Sequence, residues 1–302
     1  MKSDRQHPPM HKKYRRGAAL HFLPVLFVCL LVSWARASDG EALRLMDSQK
    51  IYDASEQFTE PSGLARSLDG TRFYAVSDNT GAIFVLDDEG SVVDRINPDF
   101  PVRDPEGIAV MPDGVLLVLE EGARSVAVID PASGRRIRTA EMRDLAGIDA
   151  VRQHLSAAPK NKGFEGIAVH PVSGHIFIAN ETEPRLLLEI SADFTRLLQW
   201  WILGRDAGFS SPHARDDEMD LSGLTIDGTT GDILIVSDTG RSLFRMNPDT
   251  QEVRRFDLPG SKKHKPKLLK NAEGVALSSG ADRLFVLTDD GRSSRLVTYE
   301  WP

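Results

Sequence analysis

The chain has 302 residues, of which 41% are hydrophobic, 27% charged and 7% aromatic. That composition supplies enough apolar material for one large core and excludes an intrinsically disordered segment. Its 44 acidic against 37 basic residues give a formal charge of −7, and its single cysteine excludes an internal disulfide and a zinc–thiolate site.

Residues 1–37 differ from the rest. Lys2, Arg5, Lys12, Lys13, Arg15 and Arg16 precede an apolar run at 22–32, followed by Ala35-Arg36-Ala37. Basic, apolar and small residues in that order describe a secretory signal cut after Ala37. An uncleaved membrane anchor is the competing reading, since the apolar run stretches to about 16 residues around Pro24. Under both readings residues 38–302 form an exported domain of the cell envelope, free in the periplasm or held at the plasma membrane by the N-terminal segment. Cleavage would remove Cys29 and leave 30 basic against 43 acidic residues, a formal charge of −13. So acidic a chain is unsuited to nucleic acid, whose phosphates are bound through Lys and Arg. A monomer that meets the membrane only through its N-terminal segment is expected.

A phrase recurs along residues 38–302. Gly163-Phe164-Glu165-Gly166-Ile167-Ala168-Val169 has relatives at Glu60-Pro-Ser-Gly63-Leu-Ala, Asp104-Pro-Glu-Gly107-Ile-Ala-Val, Asp220-Leu-Ser-Gly223-Leu-Thr-Ile and Asn271-Ala-Glu-Gly274-Val-Ala-Leu. The repeat glycines lie 44, 59, 57 and 51 residues apart, a spacing of propeller blades. Each copy continues through a turn at Asp69-Gly70, Asp113-Gly114, Ser173-Gly174, Thr230-Gly231 or Ser279-Gly280 into a second strand at 72–76, 115–119, 175–179, 232–236 or 283–287. Third strands are expected at 82–86, 125–129, 185–190, 242–246 and 295–299, and fourth strands at 92–96, 135–139, 196–202 and 252–256.

The fifth copy ends before a fourth strand. An open edge of this kind is a liability that ring closure removes, and residues 42–52 are expected to supply the missing strand. The prediction is therefore an all-β, five-bladed β-propeller of four-stranded antiparallel blades. A sixth blade would have to hide in the insertion at 145–162, whose residues 149–158 favour a short helix instead.

Acidic residues keep step with the repeat. Fifteen residues beyond the repeat glycines stand Asp78, Glu181, Asp238 and Asp289, and fourteen beyond Gly107 stands Glu121. Glu106, Glu165 and Glu273 immediately precede their glycines, and Glu60 and Asp220 stand three before theirs. The start of an innermost strand is the rim of a propeller channel, so these carboxylates should converge on one funnel. Like charges at a partly desolvated rim raise one another's pKa or require a cation. Oxygen ligands without cysteine favour Ca²⁺, which accepts irregular oxygen shells, over Mg²⁺ with its tight octahedron and over Zn²⁺, for which the histidines show no spacing. Glu106, Glu165, Asp220 and Glu273 are the expected ligands, with Glu60 and Glu181 as further candidates. The competing structural explanation is that such acids cap turns and that the glycines only relieve crowding.

Gly163-Phe-Glu-Gly-Ile-Ala, Asp220-Leu-Ser-Gly-Leu, Val236-Ser-Asp and Ala272-Glu-Gly-Val-Ala resemble the SdiA-regulated (YjiK/CarP-type) family of bacterial envelope proteins, which is distantly NHL-repeat-like. The resemblance spans about residues 40–302. It implies a five-bladed propeller with bound calcium and an N-terminal membrane-targeting segment, and no established reaction. Asn180 ahead of Glu181, and Thr288-Asp289-Asp290 in the last repeat, depart from the family pattern.

The functional expectation is a calcium-binding or calcium-responsive module that meets a protein or a small anionic ligand, without catalytic residues of its own. The alternative is a calcium-dependent hydrolase of phosphate esters or lactones at the same funnel, the activities of esterase-like phytases and lactonases of related fold. No Gly-x-Ser-x-Gly elbow is present. A basic stretch, Lys262-Lys263-His264-Lys265-Pro266-Lys267, offers Lys263 and Lys265 as anion contacts. An acidic loop at 205–220 either covers the funnel or lies exposed.

Overall fold

The second strand of every repeat carries a continuous apolar run, which marks it as buried on both faces rather than on one. The computed structural model, which describes residues 41–157, 163–181, 184–263 and 267–302, shows why. The repeats form five antiparallel sheets, each flanked by two others, in a five-bladed β-propeller.

After β1 (Glu41–Ala42) and β2 (Leu45–Lys50), blade one contains β3 (Pro61–Arg66), β4 (Phe73–Ser77), β5 (Thr80–Leu86) and β6 (Val92–Ile96). Blade two contains β7 (Pro105–Val110), β8 (Leu116–Glu120), β9 (Ser125–Ile129) and β10 (Arg136–Glu141). Blade three contains β11 (Phe164–Val169), β12 (Ile176–Asn180), β13 (Leu186–Ile190) and β14 (Leu197–Ile202). Blade four contains β15 (Gly223–Ile226), β16 (Ile233–Ser237), β17 (Ser242–Met246) and β18 (Val253–Asp257). Blade five contains β19 (Ala272–Leu277), β20 (Arg283–Thr288) and β21 (Arg295–Glu300), and β2 completes it antiparallel to β21, pairing Leu45 with Tyr299 and Lys50 with Arg295.

The expected closure by the N-terminal segment is thus present, with one addition. The segment divides, because β1 lies parallel to β18 and joins blade four, pairing Glu41 with Phe256, before β2 joins blade five. The connection between β10 and β11 holds no sixth blade among its described residues. It forms 3₁₀ turns at Met142–Asp144 and Ile148–Ala150 and the helix α1 (Arg152–Ala157). The proposed signal or anchor at 1–37 and the contact residue Lys265 lie outside the described residues. Among the described residues no helix is long and apolar enough to cross a membrane.

The core consists of five apolar layers, one between each pair of adjacent blades. Strand alternation distributes each run between two of them. Leu117 and Leu119 pack toward blade three while Leu116 and Val118 pack toward blade one. Likewise Ile176 and Ile178 face blade two, and Phe177 and Ala179 face blade four.

The inner strands β3, β7, β11, β15 and β19 contact one another in a closed circle. A Cβ added to Gly63 would lie 2.9 Å from the Cα of Gly107, one on Gly166 3.0 Å from the Cβ of Leu224, and one on Gly274 2.8 Å from the backbone of Leu64. At Gly223 the carbonyl oxygen of Glu273 would be only 2.1 Å away. None of these glycines has a positive φ, so space rather than backbone freedom requires them. Four of the five hairpin glycines do turn through the left-handed region, whereas in blade five that position falls on Ala281 (φ 50) and not on Gly280.

Gly223→Ala is expected to lower stability by more than about 3 kcal/mol, since its methyl group meets backbone that cannot rotate away. Gly204→Ala, whose Cβ would meet nothing within 4 Å, should stay within about 1 kcal/mol of the parent in the same urea titration. Equal losses for both would show that the glycine ring is not tightly packed.

Candidate functional site

The backbone itself places the acids. In four blades the N–H of the acid after the second strand donates to the carbonyl three residues before the repeat glycine: Asp78 to Glu60, Glu121 to Asp104, Glu181 to Gly163 and Asp289 to Asn271, at 2.8–3.0 Å. Blade four substitutes a side chain, Asp238 N–H donating to Ser222 Oγ at 3.3 Å. One repeated hydrogen bond therefore fixes each of these acids beside the start of its inner strand.

A second device acts on the glutamates. Pro105 pairs with Glu120 and Gly107 with Leu119, so Glu106 has no partner on β8 and forms a β-bulge. The same shift sets Glu165 between Phe164 and Gly166, and Glu273 between Ala272 and Gly274. A bulge bends the strand and re-aims the side chain of the extra residue. Here three bulges bring three carboxylates to one cavity.

That cavity, of about 210 Å³, opens at the end of the ring where the inner strands begin. Glu106, Glu165 and Glu273 line it from the bulges, Asp78, Glu181 and Asp289 from the ends of the second strands, and Glu60 and Asp220 from the turns before the inner strands. Ser62 and Ser222 complete its polar lining, and no Lys, Arg or His among the described residues contributes. All six expected ligands are thus brought to one place. Asp78 and Asp289 join them, although spacing alone did not single them out as ligands. At the opposite end of the ring the inner strands close a larger, mainly apolar bowl of about 390 Å³ with Leu68 and Val172 exposed at its lip.

The carboxylates are not equivalent. Asp220 accepts from Ser237 Oγ at 2.7 Å and from Thr239 N–H at 3.2 Å, so it also braces its own loop. Glu60 is exposed at the mouth. Glu106, Glu165 and Glu273 receive no hydrogen bond from the described residues, and burial is the chief cause that raises their pKa values. Repulsion from Asp78 and Glu121 adds to it for Glu106, pushed up to about 8. Repulsion from Glu106 and Glu181 adds to it for Glu165, pushed up to about 10, and Asp238 and Asp220 raise Glu273 well above the usual range. Among the described residues no three acidic or histidine side chains already stand at metal-ligand spacing; the groups spread across the cavity. Ser62 donates to the Pro105 carbonyl at 2.5 Å, so both serines serve the rim's own hydrogen bonding.

The other charged segments stay outside this cavity. Of the acidic loop only Asp220 lines it: Asp216 is held by Arg185 at 3.0 Å, and Asp217 and Glu218 pair with Arg215. Lys263 is exposed and not part of the lining. At the end of β8, Glu120 is paired with Arg136 at 3.1 Å, whereas its neighbour Glu121 keeps a buried Oε1 with no hydrogen-bond partner.

The carboxyls of Glu106, Glu165 and Glu273 hold protons more tightly folded than unfolded, where a glutamate titrates near 4.5. The folded state therefore carries more protons between that value and the raised ones, and its stability falls as pH rises through the window. In chelator, the chain is expected to lose stability from about pH 5 to about pH 8, by on the order of 1 kcal/mol per pH unit for each proton. Glu165→Gln should flatten the slope. Urea unfolding across that range checks both, and a flat or rising profile for the parent would contradict this electrostatic description.

The chain is similar to solved structures of low identity. Glutaminyl cyclase from Myxococcus xanthus matches with 15% identity over 87% of this chain and 100% of the other, at a TM-score of 0.56. A streptogramin B lyase matches with 11% identity over 79% of this chain and 64% of the other, at a TM-score of 0.44, so the chain spans less than two thirds of the lyase. Virginiamycin B lyase from Staphylococcus aureus, at 13% identity, covers 85% of this chain and 74% of its own with a TM-score of 0.44. Of these the glutaminyl cyclase match speaks for the fold alone, and at such identity not for an activity. The SdiA-regulated family model matches residues 45–289, from the closing strand β2 to the acid that follows β20, and the chain belongs to the SdiA-regulated family.

Proposed function

We propose that the protein is a calcium-binding propeller of the bacterial cell envelope, acting as a binding or calcium-responsive module through an acidic funnel at the start of its inner strands. The observation that carries this reading is the convergence of Glu106, Glu165 and Glu273 on one cavity where, among the described residues, they receive no hydrogen bond and no basic side chain joins the lining. Three like charges held together by bulges are costly unless a cation or protons neutralise them.

The donor set fits a hard divalent ion. Among the described residues every charged group in the lining is a carboxylate, and Ca²⁺ is the ion that accepts such oxygens in irregular coordination. Glu106, Glu165 and Glu273 would hold Ca²⁺, with Asp220 beside them and Glu60 and Glu181 toward the mouth. The ion would supply the positive charge that the lining lacks. Export to the periplasm, or retention at the plasma membrane by residues 1–37, rests on the order of basic, apolar and small residues there. A hydrolase would further need a base next to an open metal position, and no arrangement in the lining favours it over binding.

The test is a melting curve of the full chain, stripped with chelator, as CaCl₂ is added back. A saturable rise is expected, equivalent to about 2.7 kcal/mol at a hundredfold excess over Kd. Glu165→Gln should abolish it. No shift in the parent, or the same shift in the variant, would remove the funnel as the calcium site.

A further inference from the structure

A second pocket lies on the same face, where the structure departs from the repeat. Blades one and two are joined by residues 97–104 alone, but β10 is followed by two 3₁₀ turns and α1 before β11 begins. A connection of this length inside a compact domain commonly carries a function of its own. Here it folds back on blade two, where Met142 N–H donates to the carbonyl of Arg124 at 3.2 Å and stitches the insertion to the turn between β8 and β9.

Between that turn and the insertion lies a cavity of about 270 Å³. Its floor is formed by Met142, Ile148 and Leu155, which belong to the apolar layer between blades two and three. Three arginines, Arg124, Arg143 and Arg152, are among the residues that line it, with one acidic residue, Glu141. Arg143 stands 3.7 Å from Glu141 and remains 75% exposed, and Arg152 donates to Asp149 at 2.7 Å. The Arg124 side chain has no hydrogen bond or ion pair among the described residues. Its backbone is left-handed (φ 50), a conformation fixed by the turn.

We propose that this pocket is a binding site for a small organic anion with an apolar tail, an alkyl or aryl carboxylate, sulfonate or phosphate ester. Guanidinium groups recognise such heads through paired charge-assisted hydrogen bonds, and the floor offers the tail a surface from which water is readily displaced. In an acidic chain a cluster of three arginines also concentrates anions locally. The site is separate from the carboxylate cavity and does not depend on calcium.

The experiment uses the full chain and the fluorescent anion anilinonaphthalene sulfonate. Binding should be saturable, displaced by octanoate, and not displaced by octanol or acetate at the same concentration. Arg124→Asn with Arg143→Gln, asparagine being chosen because it tolerates the left-handed backbone, should weaken binding at least about tenfold without changing the melting temperature. Leu68→Ser, in the bowl at the opposite end of the ring, should leave it unchanged. The proposal is overturned if octanol competes as well as octanoate, if the double variant binds within about twofold of the parent, or if the loss occurs in Leu68→Ser instead.

Discussion

The architecture depends on how closely five inner strands approach one another around a common axis. Gly63, Gly107, Gly166, Gly223 and Gly274 stand where each strand meets the next, and at Gly223 even a methyl group would overlap the neighbouring carbonyl. This contact brings the blades together, and the five apolar layers between them supply the favourable burial. Stability is spread around the ring, because each blade is buried on both faces only when its two neighbours are present. The division of the N-terminal segment between blades four and five completes the circle with strand pairing, so that β21 is not left as the outer edge of the last blade.

The same close approach governs the chemistry at one end of the axis. A residue that precedes one of these glycines is necessarily carried to the centre, and in blades two, three and five it is a glutamate on a bulge. Regular pairing would send alternate side chains into the interblade layers; the bulge releases the glutamate from that alternation. The outcome is three carboxyls that burial and mutual repulsion drive toward the protonated form. They are a feature that propeller stability alone does not require, since blades one and four present Ser62 and Ser222 at the corresponding positions. A serine at that position is compatible with the same inner-strand packing in blades one and four.

The departures from the repeat lie on the face that bears the carboxylates. The connection into blade four is pinned by Arg185, whose guanidinium reaches the carbonyls of Leu203, Asp216 and Met219, and it delivers Asp220 to the rim. The connection into blade three instead builds a cationic, apolar-floored pocket beside blade two. The repeat supplies the scaffold, and the two long connections differentiate its upper face.

Blade number, strand order and ring closure were legible in the sequence because local signals agree: apolar runs of strand length, turn residues between them and a recurring glycine phrase. The limits of the strands within the five repeats fell within a residue or two, and the third strands at 125–129 and 242–246 coincide with β9 and β17. The acids of the axial cavity were also legible, since a fixed interval from the repeat glycine reflects one repeated backbone hydrogen bond. Less legible was their inequality. Spacing treats Asp220 like the glutamates, but its oxygens are shared with Ser237 and Thr239. The pocket beside blade two was not legible either, because it draws Arg124, Arg143 and Arg152 from separated stretches of chain. The sequence by itself thus determined which residues repeat and at what interval, because strand, turn and blade are encoded over short spans. Only the tertiary structure decided which side chains find partners and which are left facing a cavity, because partners come from neighbouring blades whose separation along the chain carries no local signal.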